Sequence, residues 1–112
     1  MKVNVLGAEY SVTVTNEVKE PRLTNKDGFC DETTHEIFAE DYTGTKVTDD
    51  LDSKRLLKEQ TKKVLRHEIT HAYLFESGLA ENSEWAKNEE IVDWIAIQGP
   101  KLYKAWQEAD AL

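Results

Sequence analysis

A chain of 112 residues with no Pro-, Gly- or Ser-rich stretch dividing it has the length of one domain, expected to span residues 1–112. Its 22 acidic against 14 basic residues leave a formal charge of -8. That balance speaks against nucleic-acid binding, which depends on Lys and Arg displacing counterions from phosphates. With 39% hydrophobic residues the chain is apolar enough to fold, a lone Cys30 closes no internal disulfide, and neither a signal-peptide core nor a membrane-length apolar run is visible. The expectation is a cytoplasmic chain with neither nucleic acid nor membrane as partner.

Val3 and Val5 alternate with polar neighbours, a turn at Gly7-Ala8 follows, and Tyr10, Val12 and Val14 alternate with Ser11, Thr13 and Thr15. This predicts a β-hairpin with one buried face. From Asn16 to Asp31 the composition turns polar, and Pro21, Asn25 and Asp27-Gly28 supply turn chemistry, so the stretch reads as a surface loop. A third strand is expected from about Thr33 to Glu40, where β-branched and aromatic residues gather.

After Asp49-Asp50 the period becomes helical. Asp52 or Ser53 is placed to cap, and Leu57, Thr61, Val64, Glu68, His71 and Phe75 recur at spacings of three and four. The helix should run to Ser77, with Gly78 as its left-handed stop. A second helix is expected from about Ser83, with Trp85, Val92 and Ala96 on one stripe, until Gly99-Pro100 breaks the period and Pro100 opens a short third helix to about Ala109. Strands first and helices afterwards make an α+β fold, a small antiparallel sheet of about three strands packed on two to three helices. The loop from Gly78 to Asn82 is long enough to set the two long helices antiparallel. Trp85, Trp94 and Trp106 read as core or as a contact between copies, and the oligomeric state stays open.

The first long helix carries His67-Glu68-Ile69-Thr70-His71. At about 100° per residue, His71 lies roughly 40° around the axis from His67 and one turn along, so both imidazoles reach one ion. Glu68 lies about 60° from His71, close to that ion but displaced from the line of the two histidines, where a base would stand. An unpaired carboxylate on an otherwise apolar stripe is costly to bury, so something must compensate it. Glu89 and Asp93 stand four apart on the next helix, on a stripe with Trp85, Val92 and Ala96. They suggest a third metal ligand and an acid that orients a ligating histidine, most naturally His67. Glu90 leaves the register open, because its own stripe carries Trp94 and Ile97.

His67-Glu68-Ile69-Thr70-His71 followed by Asn88-Glu89-Glu90-Ile91-Val92-Asp93 resembles the gluzincin pattern of thermolysin-like zinc peptidases, HExxH with a downstream NExxxD. Val64-Leu65-Arg66-His67-Glu68 in a short chain also resembles the compact metallopeptidase-like proteins of phages and mobile elements, the ImmA/IrrE group. The resemblance implies Zn2+ held by His67, His71 and Glu89, Glu68 as general base, Asp93 orienting a histidine, and a peptide or protein as substrate. It implies a minimal zincin-like domain. The large enzymes of that pattern take an oxyanion-stabilising residue from a second domain, and none is expected within these 112 residues. His35, Tyr42, Tyr73 and Tyr103 are the candidates here, with an ordinary strand histidine the simpler reading of His35. Cys30 reads as a buried structural thiol before it reads as a zinc-capping thiolate. The alternative to a peptidase is a catalytically weak or inactive protein of the same fold that binds a partner protein.

Overall fold

The computed structural model describes residues 1–44, 46 and 53–112. The alternation at the start of the chain does form a hairpin, β1 (Lys2–Val5) antiparallel to β2 (Ala8–Thr15). Its turn is Leu6-Gly7, one residue earlier than expected, with φ of 51° and 94°. Two positive φ angles in a two-residue loop give a backbone twist that matches the strands, and Asn4 Oδ1 accepts the Gly7 N–H at 2.9 Å.

The fold is α+β, with a four-stranded sheet of order β1-β2-β4-β3, where β3 is Gly28–Asp31 and β4 is Glu36–Glu40. The expectation of an antiparallel sheet is corrected: β2 and β4 run parallel, in the register Val12 to Ile37 and Val14 to Ala39. The chain leaves β2, crosses through a 3-10 turn at Pro21–Leu23, forms the outer strand β3, and turns back into β4 beside β2. The sequence reading took β3 for loop because four residues headed by a glycine carry no readable alternation. The turn before β4 takes up Glu32 to His35, with His35 at φ 57° and Asp31 Oδ1 accepting the N–H groups of Thr33 and Thr34. That turn delays β4 to Glu36.

The long amphipathic stretch is α1 (Ser53–Glu76). The expected caps at its start, Asp52 and the Ser53 side chain, lie outside what is described. Gly78, at φ 81°, reverses the chain after α1, and residues read as connecting loop form a single turn, α2 (Leu79–Asn82), followed by a 3-10 turn at Glu84–Lys87. The next long helix, α3 (Glu89–Glu108), starts at Glu89, not Ser83. Asn88 decides this. Its extended backbone and its Oδ1, which accepts from the N–H groups of Glu90 and Ile91 at 2.8 and 3.3 Å, form the cap.

The expected break at Gly99-Pro100 does not occur, and no separate third helix begins there: α3 continues through Pro100. A proline inside a helix has no N–H for the carbonyl four residues earlier, here Ala96. Arg66 of α1 supplies the missing donor, Nε to Ala96 O at 2.6 Å. The defect in one helix thereby becomes a tie to the other, and it fixes α3 alongside the turn of α1 that carries His67.

Val5, Tyr10, Val12, Ile37 and Ala72 form a core between sheet and α1, and Leu74, Ala80, Ala86 and Val92 form a second one under α2 and α3. The tryptophans belong to neither. Trp85, Trp94 and Trp106 are 52%, 54% and 46% exposed, so the core reading of them is corrected. Among the described residues, no helix is long and apolar enough to cross a membrane.

Candidate metal centre

The α1 stripe Val64, Glu68 and Ala72 is buried against the sheet, and the two histidines lie on its border, partly covered. Gly28 allows β3 to lie directly on this stripe. A Cβ there would stand 2.5 Å from Val64 Cγ1, 2.8 Å from the Phe38 carbonyl oxygen and 3.3 Å from Glu68 Cγ. Any side chain would lift the strand, so the covering of Glu68 depends on this glycine.

From the other side α3 presents its first turn. Glu89 Oε2 is 2.8 Å from His67 Nε2, the Glu89 carboxylate is 3.2 Å from His71 Nε2, and the two Nε2 atoms are 3.2 Å apart. Glu90 instead lines a separate hollow with Ile91 and Trp94. Asp93 Oδ1 is 3.3 Å from His67 Nδ1, and Lys63 Nζ lies 4.0 Å from the same oxygen. Glu68 Oε1 is 4.0 Å from His67 Nε2, beyond hydrogen-bond reach. The ligand atoms of His67, Glu68 and His71 all fall within 4.8 Å of one another.

This arrangement has a surplus of acceptors. A carboxylate can only accept, so the Asp93 contact puts a proton on His67 Nδ1 and, in the neutral ring, leaves a lone pair on Nε2. That lone pair faces the Glu89 carboxylate and the second imidazole, a set that either a proton on a ring nitrogen or a bound cation holds together. Ligands bound tetrahedrally at about 2.0–2.2 Å stand roughly 3.3 Å apart. The observed spacings of 2.8 to 3.2 Å are close to that. The residues therefore fit a single ion with an N/N/O donor set.

The local electrostatics follow. Burial pushes the Glu68 carboxyl up to about 7, with Glu89 adding to the rise while His67 and Lys26 oppose it. Burial also raises the Glu89 carboxyl, but His71 and His67 outweigh it and hold the group below its ordinary value. Two cavities of about 400 and 350 Å³ flank the centre and share Lys26, Gly28, Glu68 and Glu89. The first is walled by Phe29, Cys30 and Phe75, the second by Asp27, Gln60 and Asp93. Cys30 is half-buried, and burial followed by the charge of Glu68 pushes its thiol up to about 12, so it stays protonated at neutral pH.

None of the expected oxyanion candidates lines either cavity. His35 stacks on Tyr10 at 4.7 Å between ring centres and lies 3.4 Å from Glu76 Oε1. Tyr42 donates its hydroxyl to Asp27 at 2.7 Å. Tyr73 is 43% exposed. Tyr103 stands fourteen residues along α3 from Glu89, about 21 Å of helix rise away. Sequence reasoning missed Lys26 and Gly28. Asp27-Gly28 registered only as turn chemistry, and nothing in the pattern set Lys26 apart from thirteen other basic residues of the 14.

Helix against sheet, with two histidines and a carboxylate gathered at the helix pair and cavities on both sides, makes a donor set with open space beside it. The comparison of families gives the class: the family described as BSP, peptidase of plants and bacteria, matches residues 10–111. The chain belongs to that family. No curated protein and no solved structure matches it.

Proposed function

We propose that the chain is a zinc-dependent peptidase of the gluzincin type, acting on a peptide or protein. The observation that carries this reading is the convergence of His67 Nε2, His71 Nε2 and the Glu89 carboxylate within 2.8 to 3.2 Å beside a buried Glu68. His67, His71 and Glu89 would hold the ion, and Asp93 fixes His67 with Nδ1 protonated. Zinc, when bound, supplies a Lewis acid that polarises the scissile carbonyl and makes water a nucleophile near neutral pH.

Glu68 moves the protons. A carboxyl poised near neutrality accepts a proton from the attacking water and passes it to the nitrogen of the leaving amine as the C–N bond breaks. Burial by β3 serves this role because it keeps bulk water from solvating the carboxylate. The test is a pair of measurements on the full chain, metal content by mass spectrometry and hydrolysis of a quenched-fluorescent peptide library. Wild type should hold about one zinc per chain, and Glu68→Gln should keep the metal while turnover falls about 10²- to 10⁴-fold. A metal-free wild type, or unchanged turnover in Glu68→Gln, overturns the assignment.

A further inference from the structure

We infer that Lys26 is a catalytic residue of this site, its ammonium stabilising the negative charge that builds on the substrate carbonyl oxygen. The inference rests on the peptidase reading above and supplies the group that none of the histidine and tyrosine candidates provides. Three lysines border the two cavities. Lys63 is engaged 4.0 Å from Asp93, and Lys87 borders only the cavity walled by Phe29 and Phe75. Lys26 borders both, where they meet over Glu68 and Glu89. Among the described residues its ammonium has no ion-pair partner, and it lies 5.9 Å from the centre of the Phe29 ring.

The backbone beneath Lys26 is built to hold it. Asn25 adopts φ 62°, and the Lys26 N–H closes the turn on the Leu23 carbonyl at 3.0 Å. Lys46 reaches in from the other side and donates to the carbonyls of Leu23 and Lys26 and to Glu40 Oε2, which it meets at 3.0 Å. Glu40 is fully buried. Burying the Glu40 carboxylate under a partly covered Lys46 is a costly way to hold a surface turn, since the carboxylate must leave water. Here the pair holds the backbone of the residue whose side chain borders both cavities. The charge of Lys26 is felt at Glu68, where it favours the carboxylate.

When water adds to the carbonyl carbon, the C=O π pair moves onto oxygen, and the Lys26 ammonium donates a hydrogen bond to that oxygen. The pair returns when the C–N bond breaks, with the water proton carried to nitrogen by Glu68. Such a donor acts on the transition state more than on the ground state.

The experiment compares zinc-loaded wild type, Lys26→Met and Lys26→Arg by zinc stoichiometry, by kcat and KM on one peptide that wild type cleaves, and by calorimetric affinity for a phosphonate dipeptide, whose tetrahedral anion copies the charged intermediate. Lys26→Met should keep its zinc and its melting temperature, lose about 100-fold in kcat with KM within about threefold, and bind the phosphonate at least tenfold more weakly. Lys26→Arg should recover most of both losses. Unchanged kcat and phosphonate affinity in Lys26→Met, beside a Glu68→Gln variant that is dead, overturn the role of Lys26 and leave the peptidase reading standing. A wild type that binds no zinc and cleaves no peptide overturns both.

Discussion

Two clusters on α1 are built from nearly the same chemical letters, and they differ in how their hydrogen bonds close. At the sheet side of the helix end, Tyr10 donates its hydroxyl to Glu76 at 2.7 Å, and His35 lies 3.4 Å from the same carboxylate while stacking on the tyrosine ring. There two rings meet one carboxylate oxygen, and the tyrosine donates to it. In the other cluster His67 and His71 point their Nε2 atoms at each other and at Glu89, with Glu68 buried alongside. There two ring nitrogens and a carboxylate converge on one point. The first geometry is that of a hydrogen-bonded contact between two rings and one carboxylate, whereas the second is that of a donor set for one ion, and this difference separates a fold-holding histidine from a candidate ligand better than residue type does.

The sharpest way to break the comparison is to remove the charge that the second cluster keeps buried. Glu68 ionises at 4.5 when free and at about 7 in the folded chain, because burial, aided by Glu89 and opposed by His67 and Lys26, penalises the carboxylate. Below pH 4.5 the group is protonated in both states and the burial costs nothing. As the pH rises from 4.5 towards 7 the unfolded chain releases its proton and the folded chain does not, so stability falls by about 1.4 kcal/mol per pH unit. The metal-free Glu68→Gln protein should therefore be more stable than metal-free wild type by about 3 kcal/mol at pH 8 and equal to it at pH 4. Urea unfolding of chelator-treated protein at the two pH values measures this. A loss of stability at pH 8 would mean that Glu68 is satisfied by the fold itself, like Glu76.

Asp93 tests the same contrast one step out. Its Oδ1 lies 3.3 Å from His67 Nδ1, and on the proposed reading it holds a proton there and leaves Nε2 for the ion. Asp93→Asn can present an amide N–H to the ring and select the other tautomer, with Nε2 protonated, so zinc affinity should fall about 10- to 100-fold. Competition with a chromogenic chelator reads the change. His35→Asn, in the closed cluster, should leave that affinity unaltered.

How much of this was legible in the sequence follows from the range of the forces involved. The two histidines and Glu68 are set by helical period alone, a local property, and α1 bears that spacing out to within a residue of its expected end. Local chemistry also gave the hairpin and the left-handed Gly78. What escaped depends on partners distant in the chain. Pro100 reads as a break because the Arg66 donor that makes it tolerable comes from another helix. Strand β3 exists because Gly28 lets it settle on Val64 and Glu68, a contact no alternation pattern records. The parallel pairing of β2 with β4 follows from the path of that same segment. Glu89 is told from Glu90 in the sequence only by the resemblance, since the Asn88 cap that sets the register of α3 falls inside the helix expected from Ser83.

The smallest effect belongs to the closed cluster, and it is informative because it should be small. Tyr10 is fully buried, and burial together with its hydrogen bond to Glu76 holds its hydroxyl well above the ordinary tyrosine range. Tyr10→Phe removes one donor from a carboxylate that is 23% exposed and so stays accessible to water, with His35 still beside it. The cost should be about 1 kcal/mol, the net worth of one hydrogen bond whose acceptor is resolvated. Because no metal is involved, the same difference should appear in urea titrations run with zinc and with chelator. A cost that changed with zinc would couple Tyr10 to the His67 centre, and the line drawn between the two clusters would have to be moved.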